Sequence, residues 1–154
     1  MRNMKCVILF LCLFAFVTGC HSDRIRTEYV TGVVRCDGNP VAQAQITFIP
    51  VEGSPGAIAA TGTSDESGKY TIQVLQGNPG AGTTPGEYIV TIARTETIPV
   101  DSAGKQIQLA PGETANSYIG VERLPIKYKK QETTPFRVTV AKGKNKFDFE
   151  LESK

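Results

Sequence analysis

Apolar and polar residues alternate in several short runs along this chain. In residues 63–74, a polar turn ends at Gly68, and Tyr70, Ile72 and Val74 then share one face of the run that follows. Alternation with a period of two, next to a turn of Asp, Ser and Gly, is typical of a half-buried antiparallel strand. This segment therefore predicts a turn followed by a strand, and the same pattern returns elsewhere.

Six further regions show strand-like alternation, at residues 29–36, 41–49, 57–63, 88–92, 136–140 and 147–151. The turn signal DGNP at residues 37–40 predicts a hairpin from the first of these into the second. Residues 141–144 predict a C-terminal hairpin whose exposed face carries Asp148, Glu150 and Glu152. Since no amphipathic helical pattern competes, we predict an all-β fold, a single antiparallel β-sandwich of about seven strands.

Two segments interrupt this alternation. Residues 77–86 are rich in Gly, Pro and Thr and predict a loop, and the pattern fades again over residues 96–130. The second segment is too long for an empty linker in a compact domain. We therefore expect it to hold an irregular excursion and a short edge strand, with residues 124–128 packed along the sandwich in extended form.

The beginning of the chain predicts a lipoprotein signal peptide. Arg2 and Lys5 precede an apolar run at residues 7–17, which is shorter than the roughly 20 helical residues needed to span a bilayer. The run ends in the tetrapeptide VTGC, which resembles the bacterial lipobox, whose cysteine receives a diacylglyceryl group. We expect residues 1–19 to be removed, Cys20 to carry the lipid, residues 20–28 to form a tether and residues 29–152 to form the domain. The alternative is an ordinary signal peptide whose cleavage site happens to contain a cysteine.

Lipidation of Cys20 would determine where the domain lies. Because two or three acyl chains give lasting attachment, we expect a membrane-anchored domain in the cell envelope, on the periplasmic or outer-membrane face. The next residue is His21 rather than Asp. By resemblance to enterobacterial lipoproteins, His21 does not signal retention at the inner membrane.

The charge distribution does not favour a nucleic-acid partner. The chain has 17 basic and 15 acidic residues, but Arg2 and Lys5 belong to the expected leader, so the mature chain is balanced. The excess of acids before residue 120 and of bases after it makes only a mild dipole.

The histidine content argues against most catalytic centres. The chain has one histidine, His21, which lies in the expected tether. A zinc site built from His and Glu, an iron site built from two His and two Tyr, and a Ser-His triad all need histidine within the domain. We therefore expect no catalytic residue, no cofactor and no metal.

A possible calcium site and a possible reactive thiol each have a simpler explanation. Asp65, Glu66 and Ser67 could offer oxygens to calcium, but calcium needs six to eight of them, so an Asx turn formed by Asp65 is the preferred interpretation. Cys36 is expected on the core face as a small buried side chain, since a reactive thiol needs exposure and an electropositive setting.

A cluster of lysines surrounds Tyr128. Lys127, Lys129 and Lys130 could hold an anionic polymer. The preferred interpretation is a solvated edge whose charges discourage pairing between sheets of different molecules.

Five motifs occur in order along the chain and carry a family resemblance. They are Val30-x-Gly32-x-Val34, Asp37-Gly38-x-Pro40, Ile46-x-Phe48-x-Pro50, Thr63-x-Asp65-x-x-Gly68-x-Tyr70 and Pro85-Gly86-x-Tyr88-x-Val90. Together they resemble the carboxypeptidase regulatory-like, or transthyretin-like, β-sandwich domain, and with the lipobox they are similar to small lipoproteins abundant in planctomycete bacteria. Residues 124–128 and 140–151 resemble two further segments of those lipoproteins. The resemblance covers residues 29–151 and implies a fold and a location, but no activity.

These observations lead to one expected function and one alternative. We expect a lipid-anchored, non-catalytic envelope module that binds a protein or glycan or builds surface structure, with binding on residues 77–86 and 96–130. The alternative is a small-ligand carrier or an accessory subunit of an envelope enzyme or transporter. An apolar pocket between the sheets would favour the carrier, and an exposed apolar patch would favour the subunit.

Overall fold

A computed structural model describes residues 25–75 and 82–154. This part of the chain is nearly all β, which confirms the all-β character predicted from the sequence. Its strands are β1 (Val30–Cys36), β2 (Asn39–Pro40), β3 (Gln45–Pro50), β4 (Ala60–Thr63), β5 (Lys69–Thr71), β6 (Gln73–Val74), β7 (Gly86–Ala93), β8 (Thr95–Val100), β9 (Ser117–Glu122), β10 (Arg137–Val140), β11 (Asn145–Lys146) and β12 (Phe149–Leu151), and its one helix is α1 (Ile126–Lys129).

The first sheet is built around β1. This strand pairs antiparallel with β2 and β5 and parallel with β11 and β12, so the sheet is mixed and the expectation of purely antiparallel pairing is wrong here. The predicted C-terminal hairpin does not form, because β10 pairs with β7 in the other sheet. Between β10 and β11 the chain turns at Gly143 (φ 100°), and the Asn145 side chain accepts from the Ala141 N–H at 2.9 Å and donates to the Ala141 carbonyl at 2.9 Å. This closed turn carries the chain from one sheet to the other.

The second sheet has the order β10-β7-β3-β4-β6 and is antiparallel throughout. The turn at residues 37–40 forms as predicted, but its hairpin ends after the two residues of β2, since β3 belongs to this second sheet. The run over residues 63–74 is likewise divided. Tyr70 in β5 belongs to the first sheet and Val74 in β6 to the second, with buried Ile72 between them.

The two sheets share one hydrophobic core. Phe48 of the second sheet lies 5.8 Å from Tyr88 and 6.1 Å from Phe147, measured between ring centroids. Gly32 in β1 lies against the backbone of Phe147, and a Cβ at position 32 would overlap the Phe147 carbonyl. The same carbonyl accepts a hydrogen bond from the Tyr70 hydroxyl at 2.7 Å. At this position the backbones of β1 and of Phe147 approach too closely for any side chain.

Residues 96–130 are more regular than their sequence pattern indicates. Strands β8 and β9 pair antiparallel as a separate two-stranded sheet, called the ribbon below. Pro99 and Gly120 interrupt the alternation that would have revealed these strands. Residues 124–128 are not extended as expected, because the chain enters one turn of helix α1 after Pro125, with Tyr128 buried.

None of the helices within residues 25–75 and 82–154 has the length and apolar character to cross a membrane.

Candidate binding surface

The base of the ribbon is fixed by Glu122, the last residue of β9. One carboxylate oxygen accepts from the Arg94 backbone N–H at 2.6 Å, and the other accepts from the Thr95 hydroxyl at 3.1 Å and from the Lys129 ammonium at 3.0 Å. Burial alone would raise the pKa of Glu122, but these donors together hold that pKa below its usual range. Arg123 adds an ion pair with Glu96 at 2.6 Å. The ribbon is therefore attached to the body through helix α1 and its own first residues.

Beyond this base, β9 lies at the surface. Ser117, Tyr118, Ile119 and Gly120 are all exposed, with Tyr118 at 50 % and Ile119 at 43 %. Because successive side chains of a strand point to opposite faces, Tyr118 and Ile119 give each face of the ribbon one large exposed apolar side chain. Opposite them, Ile98 of β8 is buried at 8 % exposure. Within the ribbon, β8 thus includes buried apolar residues while β9 is exposed along most of its length.

The tip of the ribbon repeats a turn found in the body. Asp101 accepts from the N–H groups of Ala103 and Lys105, both at 2.9 Å, and Gly104 has φ 78°. Asp65 does the same for the N–H groups of Ser67 (2.8 Å) and Lys69 (3.0 Å). In both cases the sequence is Asp-x-x-Gly-Lys, in which the Asp side chain closes the turn and the glycine takes the left-handed conformation.

The turn at Asp65 is the expected Asx turn. Its Oδ1 accepts three hydrogen bonds, two from the backbone and one from the Ser67 hydroxyl at 2.7 Å. The Ser67 hydroxyl and the two N–H groups lower the pKa of Asp65. Three donors of the turn itself therefore occupy Asp65 Oδ1, which is the arrangement of an Asx turn.

Cys36 lies at the end of β1 and packs against the core as expected, but it is half-buried rather than buried. Burial, followed by the carboxylates of Asp37 and Glu150, raises the pKa of its thiol. A thiol with a raised pKa carries little thiolate at neutral pH, so this environment does not activate it.

The three lysines near Tyr128 do not form one patch. Lys127 donates to the Lys154 carbonyl at 2.8 Å and sits 4.9 Å from the centroid of the Tyr128 ring, while Lys129 pairs with Glu122. All three lysines lie on helix α1 or directly after it. The interpretation of these lysines as part of a sheet edge is therefore wrong. Tyr128 itself is buried, and its hydroxyl accepts from the Glu152 N–H at 2.9 Å.

The described end of the 77–86 loop is part of the body rather than a binding loop. Thr83 and Tyr88 are fully buried and Thr84 nearly so. The Tyr88 hydroxyl donates to the Thr84 carbonyl at 2.8 Å and lies within 3.2 Å of both threonine hydroxyls. The Ile58 N–H donates to the Thr84 hydroxyl at 2.9 Å. Sequence reasoning missed this network, although two threonines ahead of a strand tyrosine were the available signal.

Several clefts open on the surface of the described part of the chain. One of about 350 Å³ lies beside helix α1 and is lined by Tyr128, Phe136 and Glu150 among others. The space between the sheets is filled by Phe48, Tyr88 and the other core side chains. This packing does not favour a carrier with a ligand held between the sheets.

The expected lipidation site, Cys20, and the tether residue His21 lie outside the described residues. Within residues 25–75 and 82–154, no three His, Cys, Asp or Glu side chains form a group that could hold a metal ion. Comparison with protein-family models, with curated proteins and with solved structures finds no match to this chain.

Proposed function

We propose that this protein is a lipid-anchored, non-catalytic module of the cell envelope, in which Cys20 carries the anchor and the ribbon contacts another macromolecule. The proposal includes the finer fold expected from the sequence motifs, a transthyretin-like sandwich of the carboxypeptidase regulatory-like family. The all-β body with one core shared by two sheets supports that assignment. The sequence of the first 20 residues supports the anchor.

The observation that carries the contact role is the exposure of β9. Tyr118 and Ile119 are both exposed and project from opposite faces of the ribbon, an element that adds nothing to the main core. Tyrosine is enriched in protein interfaces because it combines a large apolar ring with a hydroxyl. A protein partner is therefore favoured over a glycan, and an exposed surface of this kind also suits an accessory subunit better than a carrier.

The anchor is tested by feeding cells an alkyne-labelled fatty acid and comparing the wild-type chain with Cys20→Ala. We expect label on the wild-type chain alone and loss of the variant from the membrane fraction. Equal membrane retention of both chains without label would contradict the lipid anchor.

The contact role is tested by placing a photoreactive amino acid at position 118 or, as a matched control, at position 126. Ile126 lies on helix α1 and is 54 % exposed, close to the 50 % of Tyr118. We expect a discrete protein adduct in living cells from position 118 and only diffuse background from position 126. The same adducts from both positions would show that the anchor, and not the ribbon, determines the neighbours. A glycan adduct at position 118 would show that the partner is a glycan and not a protein.

A further inference from the structure

The outer edge of β9 has unpaired backbone groups. Neighbouring antiparallel strands alternate between residue pairs that exchange hydrogen bonds and pairs that do not. Pro99 lies opposite Tyr118, and the Pro99 carbonyl accepts from the Ile107 N–H at 3.1 Å on the other side of β8. Pro99 and Tyr118 are therefore a pair that does not exchange hydrogen bonds. The N–H and C=O groups of Tyr118 point away from β8, and by alternation those of Gly120 do as well.

Several other strand edges in the described residues are protected in the ways that natural sheets use. The outer edge of β8 lacks the N–H of Pro99 and is covered by residues 106 and 107. Edge strand β10 begins with the exposed charge of Arg137 after Pro135. Strands β2, β6 and β11 have two residues each, too few to template another strand.

Strand β9 has none of these protections along most of its length. Its first five residues, Ser-Tyr-Ile-Gly-Val, include no charge and no proline, and its six residues make it one of the longer strands. No strand within residues 25–75 and 82–154 other than β8 pairs with it. A long, uncharged, exposed edge is a template for an added strand.

We propose that β9 pairs antiparallel with β9 of a second copy of this chain. A two-fold axis at Gly120 places that residue opposite itself, Tyr118 opposite Glu122, and Ile119 opposite Val121. This register aligns the three outward-pointing residues of each copy, which are the ones able to exchange hydrogen bonds.

The side chains favour a second copy as the occupant of this edge. Ile119 and Val121 share the face of the ribbon that includes Ile98. In the proposed register, Ile119 packs on Val121 of the second copy, and the small apolar face of each ribbon continues into the other. Pairing brings no like charges together at the centre. Glu122 is the one charged residue of β9, and it is already neutralised by Lys129.

The proposed pairing is weak in dilute solution. A contact of six residues from each strand is smaller than the roughly 1,200 Å² at which specific interfaces become stable. Confinement on a membrane raises the effective concentration of the two copies. The affinity of the pairing therefore rests on the proposed anchor, while its geometry depends on β9 alone.

The test is a disulfide between two differently tagged full-length chains expressed together. One chain carries Ile119→Cys and the other Val121→Cys, and isolated membranes are treated with an oxidant. We expect a product with both tags, because directly opposite residues have Cβ atoms about 5 Å apart. The matched control replaces Ile119→Cys by Ile126→Cys, which keeps an exposed, anchored cysteine but moves it off the ribbon. Chains with only their native cysteines, including Cys36, give the background.

Backbone pairing is tested separately with Tyr118→Pro in both chains. This change removes an outward-pointing N–H without removing a hydrogen bond to β8, so the product with both tags should be lost, whereas Tyr118→Thr should retain it. Equal yields from the Ile119 and Ile126 pairs, or linkage of Ile119→Cys to a different protein, would overturn self-pairing. If the chain is fatty-acid labelled and the product with both tags is still absent, self-pairing is wrong while the anchor stands. If Cys20 is unlabelled, the anchor itself is wrong.

Discussion

Replacing Tyr88 by Phe tests how strongly the buried hydroxyl network holds the second sheet to the loop before it. The Tyr88 hydroxyl has one hydrogen, which it donates to the Thr84 carbonyl at 2.8 Å. The Thr83 hydroxyl donates to the Ile58 carbonyl, so the Thr84 hydroxyl is the group left to donate to Tyr88. The substitution therefore leaves one carbonyl and one hydroxyl hydrogen buried without partners. The Ile58 N–H still donates to Thr84.

The expected cost follows from counting those two groups. Each buried polar group that loses its partner costs about 1–3 kcal/mol, so Tyr88→Phe should lower the free energy of unfolding by about 2–6 kcal/mol. For a domain of this size, that corresponds to a fall in Tm on the order of 10 °C. The volume of the ring is unchanged, so a cavity contributes nothing to this estimate.

Thermal and urea unfolding measure the effect, with Tyr118→Phe as the matched control. Tyr118 is 50 % exposed, and its hydroxyl accepts one hydrogen bond, from the Ala115 N–H at 3.2 Å, where water can replace it. The control should stay within about 0.5 kcal/mol of the wild-type chain. Equal stabilities of the two variants would refute the reasoning, because they would show that the buried network contributes no more than an exposed hydroxyl.

Three further predictions concern the core, the loss of stability at low pH and the base of the ribbon. Gly32→Ala should destabilise strongly, by on the order of 3 kcal/mol or more in urea unfolding, because its Cβ would overlap the Phe147 carbonyl; unchanged stability would mean that β1 shifts freely. The lowered pKa of Asp65 contributes stability that is present above the usual aspartate pKa and is lost as pH falls through the folded value. Tm should therefore fall below about pH 4, and less steeply in Asp65→Asn; identical slopes would contradict a role for this carboxylate. Glu122→Gln should break the ion pair with Lys129, at a cost of about 0.2–1 kcal/mol, and speed amide exchange in the ribbon more than in the body; uniform exchange rates would show that the pair does not hold the ribbon.

Alternation predicted the strands that face the core but not the partners of those strands. Val30 and Val34 in β1, and Ile46 and Phe48 in β3, are buried as their spacing requires. Burial on one face is a local property of a strand, whereas pairing depends on where the turns send the chain. The turn at Gly143 sends it to the other sheet, and no residue type within a turn specifies that direction.

The candidate site was harder to predict for the same physical reason. The ribbon packs mostly on itself, so few of its residues alternate between a deep core and solvent. The signals present were the β-branched and aromatic residues of β8 and β9, which Pro99 and Gly120 interrupt. Helix α1 has four residues, less than the length at which a helical period becomes visible. Its one buried side chain, Tyr128, is equally compatible with an extended segment.

The stability of the body and the exposure of β9 are separate properties of this chain. In the described residues, no buried side-chain nitrogen or oxygen lacks a hydrogen-bond partner, and aromatic rings from both sheets fill the core. Folding therefore does not require Tyr118 and Ile119 to be large and apolar, and exposing them costs free energy that polar residues would not. Proline protects the outer edge of β8, whereas β9 beside it has no proline and no charged residue before Glu122. One edge of the ribbon is therefore protected and the other is open, and we propose that a partner strand adds at β9 rather than a ligand entering the packed core between the sheets.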